Sequence, residues 1–247
     1  MALAIDASTP AIATQTTGTV ATVATASFTP PSGSVLLIGW AANSATGADP
    51  TTPTITDNLG VHLTYSLVAH SHRADGPAAD GQAAMWTAVV ASSAAMTVTV
   101  TNGAASGSRE AALRVWVLTG ADTTTPVGAS GKSGSTSAGS IAQNYTAQIT
   151  GGQGFLADAD WDLKGTQTAG TGTTRDGSAN VSSAFTYGFF RRTSADDVNT
   201  VSNTINATLG GTSTNVRWVY AELRPATAAT VSDAPIRRPL MGALLQV

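Results

Sequence analysis

The chain contains no cysteine among its 247 residues. Disulfides, thiolate metal sites and cysteine nucleophiles are therefore excluded. Charge is also scarce: Asp, Glu, Lys and Arg make up 11%, against about a quarter in an ordinary soluble domain. Lysine occurs only at Lys132 and Lys164, and glutamate only at Glu110 and Glu222. A net charge of −3 leaves no dense basic face to neutralise phosphates, so no nucleic-acid partner is expected. Long hydrophobic runs are missing. The strongest, Val35 to Ala42, is far too short to span a bilayer, and no membrane partner is expected. The opening stretch MALAIDASTP has neither a basic segment nor a long apolar one, so no secretory signal is expected.

Helical periodicity is absent too. What fills the chain is Thr, Val and Ser in alternation, the β-branched types that suit a pleated, half-buried surface. The expected strands are Thr19 to Phe28, Ser34 to Ala42, Pro53 to Asp57, Leu63 to His70, Gln82 to Ala91, Met96 to Thr101 and Ala112 to Thr119. Later come Ile141 to Ile149, Gly154 to Trp161, Ala184 to Arg192, Val201 to Leu209 and Asn215 to Arg224. Short strands at such spacing, separated by Gly, Pro, Asn and Asp, predict an all-β fold: an antiparallel, jelly-roll-like β-sandwich with extended N- and C-terminal arms. The boundaries expected are residues 1–15 for an N-terminal arm, 16–224 for the sandwich and 225–247 for an extended C-terminal docking arm. Two stacked sandwiches are the alternative. The low-complexity stretch from Gly128 to Gly139 (GASGKSGSTSAG) reads as a flexible loop.

Few residues offer chemistry. Asp158, Asp160 and Asp162 (DADWD) share one face if they lie on a strand. An oxygen-only cluster suits Ca²⁺, but the calcium-loop pattern fails, with Gly165 and Ala169 at the wrong positions. A solvated or arginine-paired edge is the favoured reading, with Lys164 or Arg175 as counter-charge, and no cofactor is required. His70 and His72 form half of a metal site at best, with Asp75 and Asp80 in the same loop and no convincing third ligand. His62 reads as structural. Gly131-Lys132-Ser133 resembles the end of a phosphate-binding loop, but Pro126 stands where that motif needs glycine. No nucleophile elbow is present. With so few glutamates a glycosidase ranks low. Trp40, Trp86, Trp116, Trp161 and Trp218 all fall within strands and read as packing groups rather than a sugar platform. Arg191 and Arg192 are expected to pair locally with Asp196 and Asp197.

The succession FTPPSGSVLLIGWAA, TITDNLG, LTYSLVA, AAMWTAVVASSAAMTVTV and ALRVWVLTGADTTTPVG resembles β-sandwich virion proteins of tailed actinobacterial phages, described as minor tail or capsid-decorating proteins. The likeness covers roughly Phe28 to Gly128. It implies a non-enzymatic structural protein of the particle, made in the bacterial host cytoplasm, repeated as a homo-oligomer and bound to the major capsid protein or other virion subunits. It implies no catalytic residue. The end of the chain, SDAPIRRPLMGALLQV, fits such a role on its own chemistry. Pro235 and Pro239 disfavour helix, Arg237 and Arg238 can pair with carboxylates, and Leu240, Met241, Leu244 and Leu245 can fill apolar pockets or add a strand. A minor tail protein, or a carbohydrate-binding module for host-surface glycans, is the alternative. An enzyme such as a depolymerase is the weakest reading.

Overall fold

A computed structural model describes residues 2–16, 22–43, 51–75, 81–103, 110–145, 149–160, 165–181, 185–195, 203–213 and 215–227. Among the described residues, apart from one turn of 3-10 helix at Arg73–Asp75, the regular structure is entirely strand. The first half contributes β1 (Ala4–Ile5), β2 (Ala13–Gln15), β3 (Thr22–Ala24), β4 (Val35–Ala42), β5 (Thr54–Asp57), β6 (Ser66–Ser71), β7 (Gln82–Val89), β8 (Val98–Thr101) and β9 (Ala111–Thr119). The second contributes β10 (Val127–Ser135), β11 (Ala138–Tyr145), β12 (Gln153–Asp160), β13 (Thr168–Ala169), β14 (Thr173–Val181), β15 (Phe185–Arg192), β16 (Asn203–Ser213) and β17 (Val216–Leu223).

The pairing repeats. The large sheet of the first half runs β2-β9-β4-β7-β6, with β1 also on β9, and a small sheet runs β3-β8-β5. The second half gives β10-β17-β12-β15-β14 and β11-β16-β13. Counting β2 and β10 as the first strand of each half, both halves join first to eighth, second to seventh and third to sixth. Those are the pairs of a long hairpin rolled into a jelly roll. All pairs are antiparallel.

Side-chain alternation turns four sheets into four layers. On β4, Leu36, Ile38, Trp40 and Ala42 point to the small sheet β3-β8-β5 and pack with Val23, Val98 and Val100. Val35, Leu37 and Ala41 point the other way, onto Phe155, Ala157, Phe189 and Val219 of the second large sheet. The far face of that sheet, through Leu156, Phe190 and Val216, meets Ile141, Ile205 and Leu209 of the outermost layer. All eight residues of β4 are buried, because the strand is covered on both sides. Trp116 sits at the centre, its ring 5.2 Å from that of Phe155 and 5.9 Å, edge-on, from that of Phe189. Gly39 admits it: a Cβ there would lie 3.0 Å from Trp116, 3.2 Å from Phe189 and 3.3 Å from Ala157.

One sequence expectation changes. The stretch from Gly128 to Gly139 is not a flexible loop; it forms most of β10 and the start of β11. Its glycines are seats for cross-strand partners. Gly131 lies opposite Tyr220 and Gly134 opposite Arg217, and a Cβ at either would run into those side chains. Large residues over strand glycines restore the packing that glycine lacks. The N-terminal segment lies along the body of the fold. Its two short strands extend β9, and Arg114, 5.8 Å over the Trp116 ring, donates to the Pro10 carbonyl at 2.9 Å.

Removing the central ring tests the shared core. Trp116→Ala is expected to cost about 3–5 kcal/mol in denaturant unfolding. Gly39→Val, which overfills the same contact, is expected to cost about 1–3 kcal/mol.

Candidate functional site

The polar clusters fall in three places. The first is the DADWD stretch on β12. Asp158 and Asp160 share a face, as the alternation predicts, but that face is covered by the outermost sheet and both side chains are fully buried. The expected solvated edge is therefore not what these two side chains form. Arg175 spends its guanidinium on the Gln167 carbonyl, while Asp162 and Lys164 lie outside the described residues. Gln167, itself buried, donates Nε2 to Asp158 Oδ1 at 2.8 Å. That leaves Asp158 Oδ2 and Gln167 Oε1, two acceptors without a donor. Both converge on the spot that a Cβ at Gly188 would occupy. A proton on Oδ2 satisfies both at once, since a carboxylic acid and a primary amide form a two-hydrogen-bond ring. Burial pushes the Asp158 carboxyl well above the usual range; Gln167 opposes this and Asp160 adds to it. The environment thus favours the neutral acid.

The second cluster joins the edges of the two large sheets. His70 and His72 do share a face, their rings stacked 4.7 Å apart. His70 is a buried strand residue rather than part of a solvated loop. Its Nε2 is 3.1 Å from Gln82 Oε1, and Nδ1 is 3.4 Å from Thr52 Oγ1. Both ring nitrogens thus have polar neighbours within the fold. Burial lowers its pKa, which keeps the imidazole neutral. Asp75 accepts from the His72 amide at 2.9 Å and from Lys132 Nζ at 2.5 Å. Ser71 Oγ donates to the Ser133 carbonyl at 2.8 Å. Lys132 and Ser133 thus stand on a strand, sewing β10 to β6. Asp80 lies outside the described residues.

The third place is the loop after β5, where Asp57 is the organiser. Its buried carboxylate accepts from the amides of Leu59 and Leu63 and from His62 Nδ1, each at 2.9 Å, and from Tyr65 Oη at 3.0 Å. Burial alone would raise the Asp57 pKa, but the bonds from His62, Leu63, Leu59 and Tyr65 outweigh it and hold it below the usual value. His62 is structural, as expected, in that it braces this loop. At the loop's tip Val61 is 88% exposed. Val61 lines an open groove of about 710 Å³ with Leu59, Leu63, Val89, Ala91 and Ala94. A second groove, walled by residues 123–127, shares Thr64, Ser66 and Val89 with it. Nothing in the composition of DNLGVHLTY marks this loop; the signal was one Asp followed by several donors within eight residues.

Other expectations resolve simply. Trp40, Trp86 and Trp116 are buried, Trp218 donates to Gln143 at 2.9 Å, and Trp161 lies outside the described residues. Arg191 pairs with Asp176 at 2.9 Å, and Asp176 also accepts from Trp116 Nε1 at 2.7 Å; Asp196 and Asp197 lie outside the described residues. So do Arg237, Arg238, Leu240, Met241, Leu244 and Leu245. The chain can be followed to Thr227, with Ala226 donating to the Gly120 carbonyl at 2.7 Å. Among the described residues, no three His, Cys, Asp or Glu side chains gather as metal ligands, and no helix is long and apolar enough to cross a membrane. Comparison with family models, curated proteins and solved structures finds no match.

Asp158 gives a pH-dependent test. A folded-state pKa above the unfolded value means that stability falls as pH rises from about 4 toward the folded pKa. Asp158→Asn keeps the shape and both hydrogen bonds without needing a proton. It is expected to raise the melting temperature at pH 8, with the gain shrinking steadily as the pH is lowered to about 4 in a thermal-melt series. A loss of stability at pH 8 would mean that the carboxylate itself is required.

Proposed function

We propose that the chain is a non-enzymatic structural protein of a tailed-phage virion, one that decorates or stabilises the capsid through subunit contacts and its C-terminal arm. The observation that carries this reading is the end of the chain. A proline-fenced, basic and then apolar segment follows a body whose last described residues, Arg224 to Ala226, are bonded to Gly120, Asp122 and Pro126. A fixed globule with a reaching arm is suited to binding many identical neighbours. The strand pattern from Phe28 to Gly128 supports the same reading through its resemblance to virion sandwiches. The buried Asp158 and Asp160 support the non-enzymatic part, since the outer sheet seals both carboxylates from any substrate.

A minor tail protein is the closest alternative, because the same arm would serve in either position. A carbohydrate-binding module has weaker support: among the described residues the tryptophans are buried or bonded rather than arrayed on one exposed face.

Removal of residues 233–247 tests the arm. Purified particles incubated with the truncated protein are expected to show occupancy at least about tenfold lower than with the full chain, a difference of about 1.4 kcal/mol in binding. Unchanged occupancy, measured by quantitative gel or by imaging the particles, would sink the anchoring role.

A further inference from the structure

The groove beside Val61 is open and mostly apolar, and it has features of a built surface. The Asp57 carboxylate holds its loop with four hydrogen bonds. A loop so pinned displays Val61 without the entropy loss that a mobile loop pays on binding. Val61 and Leu67 are the exposed large hydrophobics among the described residues, and Val61 stands at the rim of this groove. An apolar side chain held rigidly in water beside an apolar trough is a half-made contact.

The position of the chain's exit says what completes it. The described chain ends along Gly120 to Pro126: Asp122 donates to the Arg224 carbonyl at 2.9 Å, and Arg224 to the Pro126 carbonyl at 2.8 Å. Residues 123–127 also wall the adjoining groove. The described chain therefore ends close to the adjoining groove. Leu240 lies thirteen residue steps beyond Thr227, enough for about 43 Å at roughly 3.3 Å per residue. An extended arm of that reach would carry its apolar end past the groove next to its own root and out to another copy. Its charges fit too. Asp122, whose carboxylate is kept ionised by the Thr125 and Thr124 amides, sits at the start of the wall where Arg237 and Arg238 would pass.

We propose that Leu240, Met241, Leu244 and Leu245 of one copy dock in the groove beside Val61 of a neighbouring copy, so that copies link head to tail. This rests on the reading that the C-terminal arm is a docking segment, and it names the receptor. The contact is heterologous: each copy gives an arm and receives one, which closes into a ring if the rotation allows.

The absence of native cysteine makes the test direct. Two full-length variants, Val61→Cys and Leu244→Cys, are mixed and mildly oxidised. A disulfide-linked heterodimer is expected, at a yield about tenfold above that from Leu244→Cys mixed with Thr136→Cys, an exposed position past the opposite end of β10. Adding Leu240→Asp and Leu245→Asp to the arm is expected to abolish it. Val61 is exposed, so its replacement leaves folding intact. A yield no higher than the Thr136→Cys control overturns the proposal, as does cross-linking confined within single chains of a Val61→Cys/Leu244→Cys double variant. If the cross-link fails while truncation of residues 233–247 still empties the particles, the groove is wrong and the docking arm stands.

Discussion

The central strands of the two large sheets have no face left for water. Each sheet is packed on one side against the other and on its far side against a small sheet, and most of the sequence's oddities follow from that enclosure. The central strands must be apolar at every position rather than at alternate ones, so β4 reads VLLIGWAA. Charge has few places to go, which accounts for a content of 11%. Several of the polar groups that do enter are met by a partner within the fold: Asp158 by Gln167, Trp116 Nε1 by Asp176, and Glu222 by the amides of Ile149 and Ala129. Small residues become structural in the same way. Gly39 lets Trp116 bridge the sheets, and Gly188 leaves room for the acid–amide pair.

Much of this was legible where a strand carries its own signal. β4, β7, β9, β12, β15 and β17 appear in the sequence as apolar or alternating runs, and from them an all-β antiparallel sandwich follows. The unreadable strands are those whose packing is supplied by someone else. β10 and β14 are rich in Gly, Ser and Thr, and their apolar cover comes from Tyr220, from the stem of Arg217 and from Ile12. Single-chain periodicity cannot register a contact whose bulky half is a hundred residues away. The repeated strand order is hidden for a related reason. The equivalent strands VLLIGWAA and QGFLADAD occupy the same place in each half, but the second holds carboxylates where the first holds Trp40 and Ala42.

The candidate sites divide along the same line. Alternation correctly put Asp158 with Asp160, and His70 with His72, on common faces. What it could not supply was the layer above each face, and that layer decides whether a carboxylate is a solvated charge or a buried acid. The Asp57 loop escaped notice because its order lies in hydrogen bonds to one oxygen pair rather than in hydrophobic pattern. With it in view, the described molecule divides into a packed interior, a braced loop that presents Val61, and a last segment, Arg224 to Ala226, bonded along Gly120 to Pro126 near the adjoining groove.

That division depends on the two halves acting as one body, which hydrogen exchange followed by mass spectrometry tests most directly. If the shared core is what holds the layers together, amides of β4 and β9 in the first half and of β12 and β17 in the second should exchange with a common opening free energy. Trp116→Ala should then lower that value equally in both halves. Faster exchange confined to the first half, with β12 and β17 unchanged, would mean that the sandwiches fold independently, and would contradict the account.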